Sequence, residues 1–276
     1  MDIKHEHMKW YMDNGFHFVY GFCKNYVAKA LDLIEQSPYN KKGLGVAEIG
    51  VHAGRLYILL NRTVRDKTHK SYAIDLFESG QSRNSDNSGD GKKFVFISNL
   101  LKYDIFLGEN TVIIEGDTTD FSLDLNNKIA PGSLKYISVD GGHNPETVVN
   151  DLKLAEKWID SEGVVILDDI MHEGWVGVIQ GTLKYLSNYP TLQPFAIGYN
   201  KLWLTKSNMR KVYYDLFLNS PMARTGAAGA YQVQYLAGIP IVTLEDSGTP
   251  ENGAGTYLEV LENQCSSKCS KACSNQ

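Results

Sequence analysis

The chain has 276 residues, 43% hydrophobic and 21% charged, with a formal net charge of −5. That length supports a sizeable buried core, and the acidic balance argues against a surface that tracks nucleic-acid phosphates. No apolar run reaches the length of a membrane span, and the first residues, MDIKHEHMKWYMDNG, lack the apolar stretch of a signal peptide, so a cytoplasmic protein is expected.

Residues 1–20 mix aromatics, His5, His7, His17 and charges without a clear period. In CKNYVAKALDLIEQ, Tyr26, Val27, Ala30, Leu31 and Ile34 recur at helical spacing. Ser37-Pro38 closes that helix, and Cys23 reads as a buried free thiol. GVAEIG, residues 45–50, is a short buried strand, and VHAGRLYILLNRTV is the helix after it. Gly50 and Gly54 allow a tight turn and a close approach of backbone to a ligand, with the helix N-terminus behind. The turn is neither G-x-G-x-x-G nor a P-loop. SYAIDL is a second strand ending in Asp75, a position suited to accepting hydrogen bonds from ribose hydroxyls. The stretch 78–92, ESGQSRNSDNSGDGK, is polar and too long for an ordinary connection. It reads as a lid over a ligand crevice, with a plain surface loop as the alternative. Phe94, Ile97, Leu100 and Leu101 mark a helix, and TVIIE is a third strand leading to Gly116-Asp117-Thr118.

The stretch YISVDGGHNPETVVNDLKLAEKWIDSEGVVILDD, from Tyr136 to Asp169, carries the most chemistry. It reads as strand, polar turn, helix, Gly turn, strand. The first strand ends in Asp140, with His143 three residues on; the second ends in Asp168-Asp169. Strand ends in an open parallel sheet line the ligand crevice, so three carboxylates and an imidazole reach one edge. Mutual repulsion of the acids favours a cation there, and hard carboxylate oxygens suit Mg²⁺.

Residues 173–186 read as a helix, 195–199 and 202–205 as a hairpin around Asn200-Lys201, and 207–219 as a last helix. From Ser220 the pattern weakens. The tail QCSSKCSKACSNQ places Cys265, Cys269 and Cys273 four apart. No His or Asp nearby completes a zinc set, and the tail reads as a polar disordered end. The expected division is a helical extension over 1–43, a core over 44–206, a C-terminal extension over 207–245 and a flexible tail over 246–276. Alternating strands and helices imply a doubly wound α/β fold with a mostly parallel sheet, helices on both faces and one antiparallel edge strand from the hairpin.

The order EIGVHAG, AID, EGDTTD, SVDGGH, VVILDD and hairpin, over residues 44–206, resembles the class I S-adenosylmethionine-dependent methyltransferases, a Rossmann-like fold with a seven-stranded sheet. The D-x-x-H after the fourth strand and the D-D pair after the fifth resemble the metal-dependent sugar O-methyltransferases, the branch of macrocin and mycinamicin O-methyltransferases, with cephalosporin hydroxylase-like proteins near it. Gln81, Asn84, Ser88, Gly89 and Gly91 fit the lid of relatives found with polysaccharide-biosynthesis genes. The resemblance implies S-adenosylmethionine as cofactor. Gly50 and Gly54 would meet its methionine part, Glu48 would order the first turn, Asp75 would hold the ribose and Asp117 with Thr118 the adenine. It also implies Mg²⁺ on Asp140, Asp168 and Asp169, with His143 and Asp140 in catalysis. The acceptor would be a hydroxyl of a sugar, glycosylated small molecule or polysaccharide. No nucleic-acid or membrane partner is expected, and a homo-oligomer is compatible with the pattern. A relative that keeps the cofactor fold without methylating is the competing expectation. A nicotinamide-dependent oxidoreductase is disfavoured by the first turn.

Overall fold

The computed structural model describes residues 6–39, 44–66, 68–84, 86, 88–103, 105, 110–224 and 232–245. The tail 246–276, including Cys265, Cys269 and Cys273, lies outside the described residues, and everything below concerns the unit ending at Glu245.

The strands are β1 (Gly45–Ile49), β2 (Ser71–Asp75), β3 (Thr111–Glu115), β4 (Leu134–Val139), β5 (Ile159–Leu167), β6 (Leu192–Gly198), β7 (Lys201–Lys206), β8 (Val233–Leu236) and β9 (Ile239–Thr243). The helices are α1 (Glu6–Trp10), α2 (Phe16–Phe18), α3 (Asn25–Gln36), α4 (Arg55–Asn61), α5 (Phe77–Gly80), α6 (Lys93–Lys102), α7 (Leu125–Lys128), α8 (Pro145–Trp158), α9 (Val176–Leu186) and α10 (Ser207–Leu218). A π-helical turn, Tyr11–Gly15, joins α1 to α2, so residues 6–18 of the N-terminal stretch without a clear period are helical. It docks through Trp10, whose ring meets Tyr103 edge-on at 5.2 Å.

One sheet runs β3-β2-β1-β4-β5-β7-β6-β9-β8. Strands β3 to β5 are mutually parallel. The chain builds outward from β1 through β2 to β3, then crosses to β4 and β5 on the other side. The reversal between β1 and β4 is the switch point where ligands bind in such sheets. β1 and β4 are buried along their whole length, as expected of strands covered on both faces. Two hydrophobic clusters result. One contains Leu31, Ile58, Phe96 and Phe195; the other contains Ile137, Leu152, Trp158 and Val165.

The doubly wound, mostly parallel architecture is as the alternation implies, with two corrections. The described sheet has nine strands rather than seven. The additional hairpin β8–β9 turns at Ala237-Gly238, with φ of 50° and 78°, the left-handed pair that a two-residue hairpin needs. Its strands are short and half-exposed, with only Ile241 and Val242 buried, which leaves little hydrophobic alternation. The antiparallel strand β7 is not at the edge: it lies between β5 and β6. The β6–β7 turn is Tyr199-Asn200, again with both φ positive at 57° and 64°. Lys201 therefore belongs to a strand and is 2% exposed.

Candidate active site

Backbone hydrogen bonds tie the strand-end turns into one row. Gly116 N–H donates to Asp75 O at 2.9 Å and Gly50 N–H to Ile74 O at 2.8 Å. Asp140 N–H donates to Ile49 O at 2.8 Å and Asp168 N–H to Val139 O at 2.9 Å. Every acid that the sequence places at a strand end is thereby aligned along one edge. A cleft of about 510 Å³ opens over that edge, with Asp75 and Asp117 on its lining towards β2 and β3, and Asp140, His143 and Asp169 towards β4 and β5.

The turn after β1 depends on glycine. Gly50 has φ of 83°, and a Cβ there would lie 1.8 Å from Asp140 O; any side chain would separate β1 from β4. Gly54 has φ of 90°, and its Cβ would lie 2.8 Å from the Phe96 ring. Both positions are left-handed and crowded, the combination that only glycine tolerates. Asp75 binds two turns at once. Its Oδ2 accepts from His52 N–H at 2.9 Å and its Oδ1 from Phe77 N–H at 2.7 Å. Burial raises its pKa against those hydrogen bonds. Asp117 Oδ1 accepts from Thr119 N–H at 2.8 Å and from its hydroxyl at 2.7 Å. Asp75 and Asp117 thus stand as preset acceptors on the cleft wall. Two other expected residues are placed less directly. The Thr118 hydroxyl donates to Asp151 Oδ1 at 2.5 Å and is committed there. Glu48 is 2% exposed within β1, and burial holds its carboxyl well above the usual range while Lys201 and Ser138 act against that.

On the other half, Lys201 forms an ion pair with Asp168 inside the protein. Burial disfavours the Lys201 charge, but Asp168 and Asp140 more than offset it, and the ammonium pKa is raised. Asp168 Oδ1 also accepts from Asp169 N–H at 2.8 Å. Asp169 has φ of 58°, and this backbone sends it away from its neighbour: Asn200 Nδ2 donates to its Oδ1 at 2.6 Å, and its Oδ2 lies 3.1 Å from His143 Nε2. That contact lacks hydrogen-bond alignment, since Nε2 has no hydrogen-bond partner among the described residues. On the ring's other side Asp86 Oδ2 lies 3.0 Å from Nδ1. Burial acts to lower the His143 pKa, but Asp169 and Asp86 outweigh it and the net shift is upward. Trp175 stacks on the ring at 4.3 Å and 14°. Asp140 opens partly to the cleft, yet burial and the Asp168 charge raise its pKa well above normal.

Asp140, His143 and Asp169 each offer a ligand atom within 4.8 Å of the others. The two carboxylates are the hard oxygen donors that Mg²⁺ takes, whereas the imidazole beside them suits softer divalent metals. Asp168 adjoins this set through its bond to Asp169 and is neutralised by Lys201. Asp86, Lys201, Asn200 and Trp175 have no counterpart in the expected set. Asp86 and Asn200 lie in loop and turn, and Trp175 precedes α9, where side-chain direction has no periodic signal.

Asp151 is 1% exposed on α8. Burial pushes its carboxyl up to about 7, against hydrogen bonds from Thr118 and Asn150. A carboxyl raised above its unfolded value binds its proton more tightly in the folded state. Folding is therefore unpenalised below the unfolded pKa of about 4 and is destabilised as pH rises towards about 7, by up to a few kcal/mol. Asp151→Asn should flatten the melting temperature between those pH values. Thermal melts of both proteins across that range check this; parallel curves would contradict it.

Residues 47–170 match the model of a family described as a methyltransferase domain. The structure is similar to that of the O-methyltransferase NovP at 18% identity, with a TM-score of 0.50, covering 66% of this chain and 79% of that one. Lower-scoring similarities include a putative O-methyltransferase from Klebsiella pneumoniae (14% identity, 74% and 89% covered, TM-score 0.48). Another is apo CalS11, a TDP-rhamnose 3′-O-methyltransferase in calicheamicin biosynthesis (15% identity, 74% and 93% covered, TM-score 0.44). No curated protein matches the chain. The match to the methyltransferase-domain model spans residues 47–170, and the likeness to NovP is one of fold.

Proposed function

We propose that the protein is an O-methyltransferase that uses S-adenosylmethionine, assisted by Mg²⁺, to methylate a hydroxyl of a sugar or glycosylated small molecule. The carrying observation is the division of one cleft into two chemically distinct ends. Asp75 and Asp117 are backbone-anchored acceptors at one end, and Asp140, His143 and Asp169 converge at the other. A nucleoside with vicinal hydroxyls and an exocyclic amine suits the first end, where Gly50 and Gly54 shape the turn beneath it. Thr118 supports that end through Asp151, and Glu48 supports it from inside β1.

S-adenosylmethionine supplies a sulfonium-bound methyl group, whose transfer to oxygen leaves a neutral thioether and requires that the hydroxyl give up its proton. A Mg²⁺ ion held by Asp140 and Asp169, with Asp168 beside them, would orient that hydroxyl and lower its pKa. His143, on the cleft lining, would take the proton as the O–C bond forms. Lys201 keeps the buried acids from repelling one another when no cation is present. Placing donor and acceptor in attack geometry contributes up to roughly 7–11 kcal/mol of barrier lowering.

The sugar class rests on the D-x-x-H and D-D pair at adjacent strand ends, and on aromatic surface at the cleft. Phe22 lines the mouth at 81% exposure, with its ring edge-on to Tyr20 at 5.6 Å. Trp175 also lines the cleft. Flat aromatic faces beside carboxylates suit a ring with one apolar face and several hydroxyls. The test is methyl transfer from labelled S-adenosylmethionine to a panel of nucleotide sugars and glycosides, with Mg²⁺ and with excess chelator. Transfer lost on chelation supports the proposal. Full activity in chelator removes the metal, and cofactor binding without transfer to any hydroxyl favours a relative that does not methylate.

A further inference from the structure

The turn after β3 is fastened by side chains of α8. The Thr118 hydroxyl donates to Asp151 Oδ1 at 2.5 Å. Asn150 Nδ2 donates to the same oxygen at 3.1 Å and to the Thr118 carbonyl at 3.2 Å. Asp151 is 1% exposed. Its Oδ2 is enclosed without a hydrogen-bond partner among the described residues, so Oδ1 accepts whether or not Oδ2 carries a proton. The next hydroxyl, that of Thr119, is committed as well. It donates to Asp117 Oδ1 at 2.7 Å, and the Thr119 backbone N–H donates to the same atom at 2.8 Å. Asp117 Oδ2 takes neither of those bonds. Asp117 and Thr118 both line the cleft.

A hydroxyl carries one hydrogen and two lone pairs, and a carboxylate carries lone pairs only. With its hydrogen given to Asp151, the Thr118 oxygen keeps only its capacity to accept. The side chains of residues 117–119 therefore form an edge that accepts hydrogen bonds and has no side-chain hydrogen left to donate. A ligand that presents an amine satisfies such an edge. One that presents a carbonyl at the same place sets lone pairs against lone pairs and leaves both sides unpaired. Released from Asp151, the Thr118 hydroxyl would be free to turn and donate, and the edge would take either group.

We propose that Asp151 is a positioning residue for base recognition: by holding the Thr118 hydroxyl it makes this turn acceptor-only, which selects a 6-amino purine over its 6-oxo analogue. This rests on the reading of S-adenosylmethionine as the cofactor, with its base at the β3 end of the cleft. Asp151 acts through Thr118, and Asn150 fixes the backbone of the same turn.

The test is titration calorimetry of the full chain with S-adenosylhomocysteine and with S-inosylhomocysteine, in which a carbonyl replaces the exocyclic amine. Wild type should bind the inosyl compound at least about 10²-fold more weakly, as sites built around a ligand N–H do. Asp151→Ala should narrow that ratio about tenfold, the size of one hydrogen bond. Asp151→Asn should keep it, because Asn150 Nδ2 points at Oδ1 and the amide oxygen is the end that fits there. Thr118→Val should narrow the ratio too, by weakening S-adenosylhomocysteine alone, and it decides the matter if Asp151→Ala does not fold. A merely structural Asp151 would weaken both ligands equally. An unchanged ratio in Asp151→Ala or Thr118→Val, a narrowed one in Asp151→Asn, or equal affinities in wild type would overturn the proposal and leave the cofactor reading standing. Failure of wild type to bind S-adenosylhomocysteine removes the cofactor reading, and the proposal with it.

Discussion

Asp169→Ala is expected to lower methyl transfer by about 10³-fold or more while S-adenosylhomocysteine affinity stays within a few-fold of wild type. Asp169 meets three groups that matter: Asn200 at 2.6 Å, His143 Nε2 at 3.1 Å and the donor set shared with Asp140. Loss of a Lewis-acid contribution of several kcal/mol corresponds to three or more powers of ten in rate. Cofactor affinity should survive because Asp75 and Asp117 are anchored by backbone on other strands. Asp168→Ala should also abolish transfer, and it additionally leaves the Lys201 ammonium buried and unpaired, so its melting temperature should fall where that of Asp169→Ala does not. Single-turnover rates and calorimetry on both variants decide the matter. Near-normal rates, or cofactor binding lost together with activity, would count against a metal role for the pair.

His143→Ala carries the second large effect, a drop in kcat of about 10²–10⁴-fold, the usual contribution of a positioned base. The side chain is held by Asp86, Asp169 and Trp175 and lies outside both hydrophobic clusters. Its removal should therefore leave the fold intact. The pH profile offers a second reading. Activity should rise with pH as the imidazole loses its proton, and that limb should vanish in the variant. Turnover within a few-fold of wild type would remove His143 as the base.

The acids of this site were legible because the sheet makes them so. A buried strand shows as an apolar run, and the residue that follows a parallel strand must face the ligand edge. That argument reaches Asp75, Asp117, Asp140, Asp168 and Asp169 without any knowledge of packing. It does not extend to what surrounds them. Lys201 looked like a turn residue, because Tyr199 and Asn200 take the left-handed turn without the usual Asn-Gly signature. Its burial beside Asp168 follows from β7 pairing with β5, a long-range register that composition does not encode. Asp86 is one acid among many polar residues in its loop, and only the folded path brings it to His143. Thr118 shows the converse limit: it lines the cleft as expected, yet its hydroxyl is taken by Asp151 from the next helix but one. The hairpin β8–β9 was hidden for a related reason, since short, half-exposed strands lack the alternation that marks a buried face.

The central claim is that one cleft binds S-adenosylmethionine at one end and activates an acceptor at the other. Titration calorimetry of S-adenosylhomocysteine into wild type, Asp75→Ala and Asp169→Ala tests it most directly. The expected result is binding in roughly the micromolar range, where enzyme–substrate constants commonly lie, lost in Asp75→Ala and retained in Asp169→Ala. No binding to the wild type, or equal loss in both variants, would contradict it.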